Sequence, residues 1–131
     1  MIGLDTNVLV RYIMQDDPKQ SPKANHLIDA LSAQQPGFIA TVSVIELVWV
    51  LSSCYGLNRA QLAQALEAML RARQFVVEQA DQVLRALRVF ESGKADFADC
   101  LIERAAAAAG CVQTVTFDAA AVKHAGMVLL A

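Results

Sequence analysis

Short apolar runs rich in β-branched residues alternate along this chain with segments of helical periodicity, and that alternation decides its fold class. The runs are Met1-Ile2-Gly3-Leu4, Phe38-Ile39-Ala40-Thr41, Phe75-Val76-Val77, Val112 to Thr116 and Met127 to Leu130. Between them, helices are expected over Asn7–Met14, from Ser21-Pro22 onward, Ser43–Cys54, Arg59–Leu70, around Val83–Phe90, Asp96–Ala109 and Ala119–His124. Ser21 reads as an N-cap with Pro22 at the first helical position, and Gly110 as the residue that ends the Ala-rich helix. Strands that are apolar throughout, each followed by helix, argue for a mainly parallel sheet covered on both faces. In such sheets ligands sit beyond the carboxyl ends of the strands.

With 131 residues the chain is expected to form one domain, residues 1–131. Its 56 % apolar and 18 % charged residues exclude intrinsic disorder. A net charge of −2 excludes a polybasic nucleic-acid binder, so phosphate contacts would need a local patch. Three cysteines (Cys54, Cys100 and Cys111) are too few for a disulfide scaffold, and Met1-Ile2-Gly3-Leu4-Asp5 is no secretory signal. Both point to a cytoplasmic protein with its cysteines reduced and in the core. The apolar stretch Phe38–Leu57 carries Glu46 near its centre, which costs about 2.5–3.5 kcal/mol on insertion scales. It reads as a buried strand and helix, with no membrane contact. Trp49, Val50, Leu51 and Tyr55 are assigned mostly to the core, with a dimer face as the other reading. His26 and His124 have no second His at ligand spacing and are read as structural.

The chemistry lies in the acids. Asp5 follows the first strand, Glu46 falls in the first turn of the helix after the second, and Asp118 follows the fourth. Asp96 and Asp99 open the Ala-rich helix. Each has an ordinary explanation as a cap: Ser43-Val44-Ile45-Glu46 and Asp96-Phe97-Ala98-Asp99 have capping-box spacing, and Asp5 and Asp118 precede helices. Capping does not explain why the acids gather at one sheet edge. Four carboxylates about 5 Å apart would repel by roughly 20 kcal/mol at an effective dielectric near 20, more than the ~5–15 kcal/mol stability of a domain. Such a site must hold a cation or retain protons. Oxygen donors without His or Cys suit Mg²⁺ or Mn²⁺, the ions of phosphoryl chemistry.

Asp5-Thr6-Asn7-Val8-Leu9, Glu46 after Ser43, Asp96-Phe97-Ala98-Asp99 and Thr116-Phe117-Asp118, in that order, resemble the PIN domain. Within it they look like the VapC-type toxins of bacterial toxin–antitoxin pairs. The resemblance implies a three-layer α/β/α sandwich with a five-stranded parallel sheet and an endoribonuclease using Mg²⁺ or Mn²⁺. It implies Asp5, Glu46, Asp99 and Asp118 as catalytic residues and metal ligands, with Asp96 an additional or alternative member. Thr6, Asn7 and Thr116 match small polar positions that orient the acids or the water. A homodimer and a cognate antitoxin are the implied partners, beside the RNA substrate. Ala119 and Ala120 depart from the charged or bulkier residues of relatives.

Setting four acids aside leaves 11 positive against 9 negative charges. Arg11 and Lys94, then Arg59, Arg71, Arg73 and Arg104, are candidates for phosphate contacts, each with a plain reading as a solvated helix charge. Two rivals fail on residues. A receiver domain needs an acceptor Asp after strand three, where Glu78 stands. A haloacid-dehalogenase-like phosphatase needs an Asp where Asn7 stands. A nuclease of RNA maturation and a catalytically silent PIN module remain as alternatives.

Overall fold

The computed structural model describes residues 1–131, which form two compact units, Met1–Ala80 and Asp81–Ala131. In the first unit the order is β1 (Ile2–Gly3), α1 (Thr6–Met14), α2 (Gln20–Asp29), β2 (Gly37–Ile39), α3 (Thr41–Ser53), α4 (Arg59–Arg71) and β3 (Phe75–Val77). The strands are parallel, in the order β1-β2-β3, with Ile2 opposite Gly37 and Phe38 opposite Val76. Right-handed crossovers that run in one direction put their helices on one face of a sheet. Accordingly α1 packs against both α2 and α3. Gly37 sits where β2 runs under two leucines, since a Cβ there would meet Leu4 Cδ1 at 2.7 Å and Leu31 Cδ1 at 2.9 Å.

The second unit holds α5 (Ala80–Ser92, its first residue at the boundary), α6 (Phe97–Ala108), β4 (Val115–Thr116), α7 (Ala119–Ala125) and β5 (Val128–Leu129). Here β4 and β5 form a parallel pair, Val115 opposite Val128. All five expected strands exist and every pairing is parallel, so the α/β class holds. The single five-stranded sheet does not: hydrogen bonding joins the strands as three and two. Two- and three-residue strands make few ladder bonds, which is why the chain's helices carry most of the ordered backbone.

Several local expectations shift. The α2 helix is not capped by Ser21. Asp17 does that work, its carboxylate accepting the N–H groups of Lys19 (2.9 Å) and Gln20 (2.7 Å), while the Ser21 hydroxyl donates to the Arg11 carbonyl. At the start of α4, Asn58 and Gln61 form a reciprocal capping box. Leu62, Leu66 and Met69 are buried as the periodicity predicts, whereas Leu84 and Ile102 lie at the surface. Trp49 is 63 % exposed while Leu51 is buried, so α3 keeps its tryptophan out of the core. Of the cysteines only Cys100 is a core residue; Cys54 and Cys111 are exposed, and all three are free. No helix is long and apolar enough to cross a membrane.

Candidate active site

The first unit contributes Asp5, Thr6 and Glu46. Leu4 is buried and extends the β1–β2 ladder, its N–H donating to the Phe38 carbonyl at 2.9 Å. This anchors the chain one residue before Asp5. Asp5 is the N-cap residue of α1 in extended conformation, yet its side chain makes no capping hydrogen bond. The carboxylate is exposed and not committed to the helix. Thr6, the first helical residue, is 5 % exposed, and its hydroxyl donates to Glu46 Oε1 at 2.7 Å.

Glu46 is not in a capping box. The α3 helix begins at Thr41, which puts Glu46 in the second turn and Ser43 in the buried interior face. The N-terminus of α3 is served instead by Glu78, whose Oε1 accepts the Thr41 N–H at 2.9 Å from 37 residues away. Glu46 instead turns toward α1, where it accepts the Thr6 hydroxyl.

The second unit contributes Asp96, Asp99, Thr116 and Asp118. Phe97 at the start of α6 is fully buried and meets Phe90 of α5 edge to face, ring centres 5.7 Å apart. Such a pair is worth about 0.5–1.5 kcal/mol beyond its burial. It fixes the N-terminus of α6 and with it the acids on either side of Phe97. Asp96 is the N-cap residue without a side-chain capping bond, so this capping box is absent too. Asp99 is half-buried, and its carboxyl is pushed above the ordinary range by burial first, then by the charges of Asp96 and Asp118. No cation of the chain counters that push. Asp118 alone acts as the expected cap, accepting the Ala120 N–H at 2.8 Å. The Thr116 hydroxyl accepts the Asp118 N–H at 3.0 Å, holding the turn that presents this acid.

The candidate cations divide. Arg11 is engaged in a surface network: Nε donates to Gln20 Oε1 (2.8 Å), and NH1 reaches the Tyr55 hydroxyl (3.1 Å) and Asp16 (3.4 Å). Tyr55 in turn donates to Asp16 at 2.6 Å, and this bond, ahead of Arg11, holds the Asp16 carboxyl below its usual range. Arg71 pairs with Glu67, and Arg104 lies on Glu103 through both carboxylate oxygens. Lys94 is exposed in the α5–α6 connection and Asn7 is exposed on the first turn of α1. The network through Asp16 and Tyr55, and the cap from Glu78, have no local sequence signal.

In neither unit do three His, Cys, Asp or Glu side chains form a ready-made ion cluster. The chemistry of the donors nevertheless fits a hard divalent ion. They are all carboxylate oxygens, and in the second unit the half-buried Asp99 faces like charge with nothing to balance it.

Parallel strands joined through helices, with Asp5 following β1 and Asp118 following β4, define an α/β protein that carries acidic residues after its strands. Residues 2–126 match the PIN domain family, and the chain belongs to it. It is also similar to the VapC ribonuclease of Aquifex aeolicus (strain VF5), at 25 % identity over 114 residues that cover 87 % of this chain and 84 % of that one.

Proposed function

We propose that this protein is a divalent-metal-dependent endoribonuclease, the toxin of a toxin–antitoxin pair. The observation that carries the reading is that Asp5 and Asp96 occupy N-cap positions without capping, while Asp99 stands in the first turn of α6 against like charge. Family membership and the similarity to a VapC ribonuclease support it. Asp5, Glu46, Asp99 and Asp118 would hold Mg²⁺ or Mn²⁺, with Asp96 as an additional or alternative ligand. Bound there, the ion would supply a water acidic enough to attack at neutral pH and charge to offset that of the phosphate. Thr6 orients Glu46, and Thr116 orients the turn carrying Asp118. Asn7 and Lys94 remain open to the substrate, whereas Arg11 would have to leave its present partners to bind phosphate. Hydrolysis would leave 5′-phosphate and 3′-hydroxyl ends.

The apolar groove of about 490 Å³ between α1 and α4, lined among others by Leu9, Ile13, Ala65, Ala68 and Phe75, supports a protein partner, for which the antitoxin is the candidate. Exposed Trp49 and Val42 on α3 support a homodimer. A cytoplasmic location would accord with free cysteines and with an RNA substrate.

The test is cleavage of total RNA by the purified protein in Mg²⁺, Mn²⁺ or EDTA, beside Asp5→Asn. Metal-dependent cutting that the variant lacks supports the reading. No cutting under any of these conditions, once co-purified inhibitor is removed, favours the silent binding module, and 2′,3′-cyclic phosphate ends overturn the mechanism.

A further inference from the structure

On the first unit, α1 and α2 frame an open hollow of about 290 Å³ lined by Asn7, Val8, Gln20, Lys23, Ala24 and Leu27. We propose that this hollow is the subsite for one nucleobase of the RNA next to the cut, and that it selects a base with a carbonyl at the purine 6 or pyrimidine 4 position, guanine or uracil, over adenine or cytosine, which carry an amine there. The proposal rests on the ribonuclease reading. Its volume is at the lower limit of small-molecule sites, suited to one planar group rather than a length of chain. Asn7 lies on the first turn of α1, two residues beyond the N-cap Asp5, which keeps a base seated here within a nucleotide's reach of that acid.

Val8, Ala24 and Leu27 give apolar walls for the faces of a ring, and the polar groups stand at the rim. Bases splayed from a single strand are read in this manner, through a flat apolar contact and hydrogen bonds to an edge. The sense of those bonds follows from Gln20. Arg11 Nε donates to Gln20 Oε1 at 2.8 Å, which fixes the amide and leaves the Gln20 NH₂ as the free end. Lys23 offers only donors and has no ion-pair partner in the chain. Two donors match the adjacent acceptors of guanine or the carbonyls of uracil. They oppose the exocyclic amine of adenine or cytosine. Arg11 thereby becomes a positioning residue for Gln20.

The experiment maps cut ends in an RNA library randomised around one cleavage site, with the purified full chain and Mn²⁺. Wild type is expected to enrich guanine or uracil at one position flanking the cut. Gln20→Glu keeps the bond to Arg11 but replaces the free donor by an acceptor, and Lys23→Met removes the charge while keeping the alkyl stem. Each should lower the preference at that position about tenfold, the worth of one hydrogen bond, and leave other positions unchanged. Cutting that continues with an unaltered base preference in both variants overturns the subsite and spares the ribonuclease reading. A second measurement follows the side-chain amides of Asn7 and Gln20 by NMR during titration with guanosine 5′-monophosphate and adenosine 5′-monophosphate. Larger shifts with the guanine nucleotide support the subsite even if no RNA is cut. No cutting together with no shift at these amides overturns both.

Discussion

Replacing Thr6 by Val separates the stability of this site from its geometry. Valine keeps the β-branched shape and the volume, and removes the hydroxyl that donates to Glu46 at 2.7 Å. A hydrogen bond to a charged group is worth about 1.5–3 kcal/mol net. Here the lower end applies, because the Glu46 carboxylate is exposed and water takes up the vacated oxygen. The added methyl, at a position 5 % exposed, returns about 0.8 kcal/mol of burial. The net loss should be about 1 kcal/mol or less, a fall of roughly 2–6 °C in Tm for a chain of this size. Cleavage should suffer far more. A carboxylate released to wander by about 1 Å costs on the order of 10²-fold in rate.

The assay pairs thermal unfolding with single-turnover cleavage of an end-labelled RNA. Thr6→Ser restores the donor and should recover most of the rate, and a cycle with Glu46→Gln should show the two changes to be strongly non-additive. If Thr6→Val folds and cuts at the wild-type rate, Thr6 does not position Glu46. If Thr6→Ser is as slow as Thr6→Val, the hydroxyl is not the cause.

Gly37→Ala places a methyl within 3 Å of the Leu4 and Leu31 side-chain ends, and should destabilise by about 1–2 kcal/mol, read as a lower urea midpoint at constant slope. The Asp99 carboxyl is raised in the folded state, so its charge opposes folding above that raised pKa and the penalty is relieved as pH falls through it. Asp99→Asn should therefore raise the metal-free Tm at neutral pH, with about 0.2–0.5 kcal/mol from the i, i+3 repulsion with Asp96. The same variant should flatten the stability profile between the unfolded and folded carboxyl pKa values, and lose the stabilisation that added Mg²⁺ gives to wild type. Tyr55→Phe removes the first cause of the lowered Asp16 pKa, so the Asp16 titration followed by NMR should move up toward the ordinary carboxylate range.

Periodicity located every element of this fold, and β3 falls on the three residues read from the sequence. It misjudged helix starts, and for one physical reason. A cap is a contest among nearby oxygens, and the winner need not be local. Ser43-Val44-Ile45-Glu46 has the spacing of a capping box, but Glu78 satisfies α3 from across the first unit, and the helix starts two residues earlier. Ser21 precedes proline in the right pattern, but Asp17 reaches two N–H groups first. The grouping of strands as three and two was equally hidden, because apolar β-branched runs show that a strand exists and not which strand it joins.

The same contest explains how the acids become available. A carboxylate at a helix N-terminus gains from the dipole and from any N–H it accepts, so capping is its resting use. Asp118 takes that use. Asp5 and Asp96 occupy N-cap positions with extended backbones and decline it, and Glu46 bonds a buried hydroxyl instead. Asp99 stays half-buried against like charge, a cost that packing of Phe97 and Phe90 helps the second unit to bear. Asp5 and Asp96 thus forgo a local stabilisation worth about 0.5–2 kcal/mol each where a cap is made. A fold with no use for free carboxylates gains by replacing them or bending them back onto the helices. Carboxylates left uncommitted at N-cap positions, like those of Asp5 and Asp96, are what a cation-holding site would require, and they are the physical ground for the proposal that these acids hold a metal ion.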